Sequence, residues 1–130
     1  MREDWNYNRG DIYMADLGLG LSDTGNTHVQ GGIRPVVLLQ NDSGNNSSPT
    51  LVIVPVTSKV MKKPEQPTHY LIRRTQGLSS DSIALGEQIT TIDKRQCIRY
   101  MGRLSRTETD AIMNAALSGI SGCGDSQGNR

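Results

Sequence analysis

The chain has 130 residues, enough for one domain with a modest core, and its apolar fraction of 35% with no phenylalanine leaves that core to Val, Ile, Leu, Met and Ala. Fourteen Lys and Arg against thirteen Asp and Glu give a net charge of +1, a total that announces no polyanion binder. Two distant cysteines, Cys97 and Cys123, argue against a disulfide framework or a zinc site, and no apolar run reaches the ~18 residues of a membrane span.

The opening MREDWNYNRG is polar and lacks a signal-peptide core, so a reducing, cytoplasmic setting is expected. Charge is unevenly spread: residues 58–106 carry ten of the fourteen basic residues and only four of the acidic ones. Such a segment can face a polyanion, or it can be solvated side chains around a barrel.

Residues 10–16 (GDIYMAD) alternate apolar and polar, a strand pattern with Ile12, Met14 and Leu17 inward. Residues 18–32 (GLGLSDTGNTHVQGG) read as a long polar loop. Residues 33–40 give a second strand, NDSGNNSSP a turn, and TLVIVPVT at 50–57 a third strand, in which Pro55 implies an edge or a bulge. Residues 58–67 are a basic loop with two prolines, and THYLI is a short fourth strand. A fifth spans about 82–92, broken at Gly86; Asp93 caps a helical turn, KRQC; IRYMGRL at 98–104 is a further strand.

Ser105 with Glu108 three residues on is a capping-box pattern. Behind it Ile112, Met113, Ala116, Leu117 and Ile120 form an apolar stripe at helical spacing, suited to core or dimer packing. Residues 1–120 are read as one domain and 121–130 as a disordered tail. Five or six short strands and one late helix describe a mainly β fold, a strongly bent sheet or small barrel with a C-terminal helix.

The stretch QGGIRPVVLLQND at 30–42 holds Arg34 stiffly between a Gly pair and Pro35 at the mouth of a buried strand. No metal-ligand cluster, phosphate loop or nucleophile elbow is present. What remains is a polar set at strand ends and in loops: His28, Arg34, Thr57, Ser58, Glu87 and Gln88. Arg34 is a permanent fork of donors suited to phosphate. Thr57 ends an apolar strand with its hydroxyl available, and His28 is a natural proton shuttle. Together they can cleave a phosphodiester through a neighbouring 2′-hydroxyl, without a metal or other cofactor. Singly, each has a plainer role: solvated arginine, strand threonine, turn serine, loop histidine, ion-paired glutamate.

RGDIY at 9–13, GGIRPVVLLQND at 31–42, SPTLVIVPVTS at 48–58, QPTHYLI at 66–72 and GEQITTIDK at 86–94 closely resemble the MazF/PemK toxins, over about residues 9–120. The resemblance implies an SH3-like barrel, a homodimer, and a metal-independent endoribonuclease cutting single-stranded RNA at a short sequence to 2′,3′-cyclic phosphate and 5′-hydroxyl ends. It also implies a MazE-like antitoxin as partner. The family's catalytic arginine falls on Arg34 and its threonine on Thr57. One branch has a functional histidine at the spacing of His28 and an acidic residue matched by Glu87. The accompanying arginine of that branch is matched by Leu85, which leaves the general base open among His28, Glu87 and Arg34. Gln88, Glu87, Asn41 and Ser58 are the expected RNA contacts. Stacking is limited to Trp5, Tyr7, Tyr13, Tyr70 and Tyr100, with Tyr13 expected in the core. The competing reading is a toxin resembling CcdB, which shares the barrel but binds DNA gyrase and cleaves nothing.

Overall fold

The computed structural model describes residues 6–18, 31–59, 66–74 and 77–121. Among these described residues are seven strands: β1 (Asp11–Asp16), β2 (Ile33–Leu38), β3 (Thr50–Thr57), β4 (His69–Ile72), β5 (Ser82–Leu85), β6 (Thr90–Asp93) and β7 (Cys97–Arg103). They form one antiparallel system in the order β4-β5-β3-β2-β1-β7, with β6 also pairing β3. The expected strand over 82–92 is two strands separated by a 3-10 turn, Gly86–Gln88, which is why seven strands replace five or six.

β3 explains how a central strand tolerates Pro55. On one side it pairs β2 through Val36↔Pro55, Val37↔Val54 and Leu38↔Ile53. On the other, Thr50–Ile53 pair β6 and Val56–Thr57 pair β5. Pro55 lies where the second side changes partner, so the missing N–H breaks no ladder. That change of partner also folds the sheet over on itself.

Two apolar clusters fill the two faces. One gathers Ile12, Val37, Leu39, Val54, Val56, Ala84, Ile112 and Ala116 beneath the C-terminal helix. The other gathers Tyr7, Tyr13, Ala15, Val36, Leu38, Leu51, Ile53 and Cys97. β1 is therefore covered on both sides: Tyr13 and Ala15 are buried as fully as Ile12, whereas Met14 and Leu17 are half-buried. The one-sided alternation expected for β1 fails because Tyr7, Tyr13 and Tyr100 pack in a row, with centroids 5.1 Å and 5.5 Å apart. Tyr13 is in the core as expected.

The NDSGNNSSP turn contains a short helix, α1 (Asp42–Ser47), started by the Asn41 side chain accepting from the Gly44 N–H at 2.8 Å. The capped turn at Asp93 and the late helix α2 (Arg106–Ser121) match their expected positions. The Ser105 hydroxyl accepts from the Glu108 N–H at 3.1 Å. Only part of the α2 stripe is buried. Ile112 and Ala116 are in the core and Met113 packs on it, while Leu117 and Ile120 are 45% and 67% exposed. No described helix is long and apolar enough to cross a membrane.

Candidate active site

Leu17 and Gly32 draw the two ends of the 18–32 segment together. The Leu17 N–H donates to the Gly32 carbonyl at 2.9 Å, and the Gly32 N–H donates to the Gly18 carbonyl at 2.7 Å. Gly32 has φ +73, a conformation that a side chain would strain. Two residues later Arg34 enters β2, and its Nε donates to the Gly31 carbonyl at 2.8 Å. The Gly pair thus turns the chain and supplies the acceptor that aims the guanidinium, while Pro35 holds the backbone behind it.

Thr57 is the last residue of β3 and is only 4% exposed. Its Oγ1 accepts from the Lys59 N–H at 3.2 Å. The β2–β3 pairs end at Val36↔Pro55, and Arg34 and Thr57 each lie two residues past that last pair, at the same end of the two strands.

Both residues line one cavity of about 520 Å³. Arg34, Pro35, Thr57, Ser58 and Lys59 form one side of its lining, and Gly77 to Ser80 with Ser82 another. Arg99 and Met101 come from β7, and Met14 from β1. Gly77 has φ +90, and a Cβ there would overlap the Met101 carbonyl. The wall is therefore pressed against the β7 backbone. Three cations and five hydroxyl groups line this space, and no carboxylate among the described residues does. Its electrostatics suit an anion.

Of the expected site residues, Arg34, Thr57 and Ser58 meet in this cavity. Glu87, Gln88 and Asn41 are not in its lining: Glu87 lies 3.1 Å from His69 Nε2, Gln88 closes the 3-10 turn, and Asn41 caps α1. His28 and Trp5 lie outside the described residues. Lys59, Ser79, Ser80, Ser82 and Arg99 were not singled out from sequence. The one pointer to Lys59 and Arg99 is the excess of basic residues over 58–106. Among the aromatics, Tyr7 and Tyr13 are buried and Tyr100 is half exposed with its edge on Tyr13, which leaves little for base stacking here.

Residues 8–118 match the profile of PemK-like, MazF-like toxins of type II toxin–antitoxin systems. The Endoribonuclease MazF of Staphylococcus saprophyticus is 41% identical over 108 residues, 82% of this chain and 85% of that protein. Among solved structures, MazF from Deinococcus radiodurans superposes with a TM-score of 0.72 at 18% identity, covering 92% of this chain and 99% of that one. An endoribonuclease in complex with its cognate antitoxin, from a mycobacterial species, gives 0.68 at 20% identity over 88% and 94% of the two chains. These structural likenesses carry the fold: a mostly antiparallel sheet with a C-terminal helix.

Proposed function

The chain belongs to the PemK-like, MazF-like toxins of type II toxin–antitoxin systems, and on that footing we propose that it is a sequence-specific endoribonuclease cutting single-stranded RNA. The single observation that carries this reading is the meeting of Arg34 and Thr57 on one cation-lined cavity.

The scissile phosphate sits in that cavity. The 2′-oxygen of the preceding ribose attacks phosphorus as His28 removes its proton. Charge grows on the non-bridging oxygens, where the Arg34 guanidinium and the Thr57 hydroxyl donate to it. The P–O5′ bond breaks, and the departing 5′-oxygen takes a proton from the Arg34 guanidinium, which regains one from solvent. The products are a 2′,3′-cyclic phosphate and a 5′-hydroxyl. Fixed donors carry the charge, so the reaction needs no divalent metal. Ser58 and the other hydroxyls hydrogen-bond to the strand, and Gln88, Glu87 and Asn41 serve as contacts for RNA beyond the cavity.

The protein works in the cytoplasm as a homodimer and is silenced by a MazE-like antitoxin. Support for the antitoxin comes from the mycobacterial neighbour, which was solved with its own. The gyrase-binding alternative is not favoured: the relative that is 41% identical over 108 residues is named an endoribonuclease.

Incubation with a long RNA in EDTA tests the proposal. Discrete fragments ending in 2′,3′-cyclic phosphate are expected. Intact RNA, or cutting only after a divalent ion is added, would overturn it.

A further inference from the structure

Five of the described arginines are ion-paired. Arg9 and Arg106 face Asp110, Arg73 faces Asp81, Arg95 faces Asp93, and Arg103 holds Asp11. Arg99 has no carboxylate within reach among the described residues, and neither has Lys59; both line the cavity with Arg34. Arg99 and Lys59 add two positive charges to the space that Arg34 lines. A phosphodiester strand brings one negative charge per nucleotide, so a single phosphate on Arg34 leaves two of the cations unmatched.

Position argues that Arg99 does not duplicate Arg34. The β1 residue Met14 is in register with Pro35 on one side and with Arg99 on the other. Arg99 therefore belongs to a strand two places from Arg34, with backbones about 10 Å apart. β7 ends the sheet order, and Arg99 is exposed on it. Met14 and Met101 line the cavity beside it, and their apolar surface gives the long arginine stem something to lie along while the guanidinium stays wet.

We propose that Arg99, with Lys59 on the lining of the same cavity, holds a backbone phosphate next to the one engaged by Arg34, so that the cavity grips two consecutive phosphates of a single strand. This rests on the nuclease reading and adds to it a flanking-phosphate subsite.

The test is the salt dependence of binding, followed by fluorescence anisotropy. The probe is a labelled single-stranded RNA of mixed sequence, 2′-O-methylated so that it has no attacking hydroxyl. Wild type, Arg99→Ala and Arg99→Lys are titrated across a series of KCl concentrations, with circular dichroism on each. One single-strand phosphate contact contributes a slope of about −0.7 in log K against log salt. Arg99→Ala is expected to flatten the slope by about that amount and to weaken binding. Arg99→Lys, which keeps a point charge, retains the wild-type slope. An Arg99→Ala slope equal to wild type overturns the subsite, whether or not affinity falls. So does a wild type whose binding ignores salt. Cleavage of unmodified RNA by wild type is scored separately: intact RNA alongside an Arg99-dependent slope would sink the nuclease reading and leave the two-phosphate grip standing.

Discussion

Arg34 and Thr57 come from different strands, 23 positions apart in the chain, yet both lie just past the last β2–β3 pair and line one cavity. A guanidinium and a hydroxyl so arranged can both donate to the oxygens of one phosphate. Losing one oriented donor of this kind slows a reaction by about 10²–10³-fold. Arg34→Ala and Thr57→Ala are each expected to lose at least that much in single-turnover cleavage while melting as cooperatively as wild type. Thr57→Ser should keep most activity and Thr57→Val should not. Cleavage at wild-type rate by either alanine variant would remove that residue from the chemistry.

His28 is proposed as the base that takes the 2′-proton. General-base assistance contributes about 10²–10⁴-fold, so His28→Ala is expected to slow cleavage by roughly the lower figure without changing the fragment pattern. A time course on one defined RNA decides this, and unchanged kinetics would reduce His28 to a loop residue.

Asp11 is fully buried at the start of β1, where it accepts from Arg103 Nε at 2.7 Å and from the Asn8 N–H at 2.8 Å. Pairing with Asp11 holds the Arg103 guanidinium above its ordinary range. Arg103 itself is half exposed, so the burden of a broken pair falls on the stranded carboxylate. Arg103→Ala is expected to destabilise the fold by about 1–3 kcal/mol, the cost of leaving a buried acceptor without its donor. Urea unfolding reads this directly; a midpoint within error of wild type would mean that Asn8 and water suffice.

Gly77 stands where both its positive φ and the nearness of the Met101 carbonyl forbid a side chain. Gly77→Ala must move the wall away from β7 or deform it. An overpacked contact of this kind costs about 1–3 kcal/mol, and strain at φ > 0 adds to it. The expected signature is a lower melting temperature together with weakened RNA binding, because the displaced wall carries Ser79 and Ser80. Loss of stability with binding untouched would show that the wall does not shape the site.

The Tyr13 phenol titrates far above its ordinary range, chiefly through burial and secondarily through the nearby Asp11 carboxylate. Its folded pKa is raised above the unfolded value, so its contribution to stability is complete below pH ~10 and is lost as pH rises toward the folded pKa. Unfolding in mild urea should therefore steepen above pH ~10, and Tyr13→Phe should flatten that limb. An absorbance titration in which all tyrosines ionise together while the protein stays folded would contradict this.

Local signals served well where the chemistry was local. The Asp93 cap and the Ser105 cap sit where their sequences place them, because a side-chain acceptor next to an unpaired N–H needs nothing distant. Short helix α1 was read as a turn because Gly, Asn and Ser are poor helix formers. It is held by contacts from outside itself: Gln40 Nε2 reaches Asn45 Oδ1, and Lys94 Nζ reaches the Asn45 carbonyl. Leu117 and Ile120 have helical spacing but stay exposed, and periodicity cannot report how far a neighbour extends.

The order of residues by itself determined the strands, the late helix and the candidacy of Arg34 and Thr57, since β-branched runs, caps and a Gly-Gly-x-Arg-Pro junction act through near neighbours. Only the tertiary structure decided that Arg99 and Lys59 join them while Glu87 turns to His69. Those placements depend on the partner change in β3 and on β7 pairing back onto β1. They follow from closing a sheet across scores of residues, a choice that no window of sequence contains.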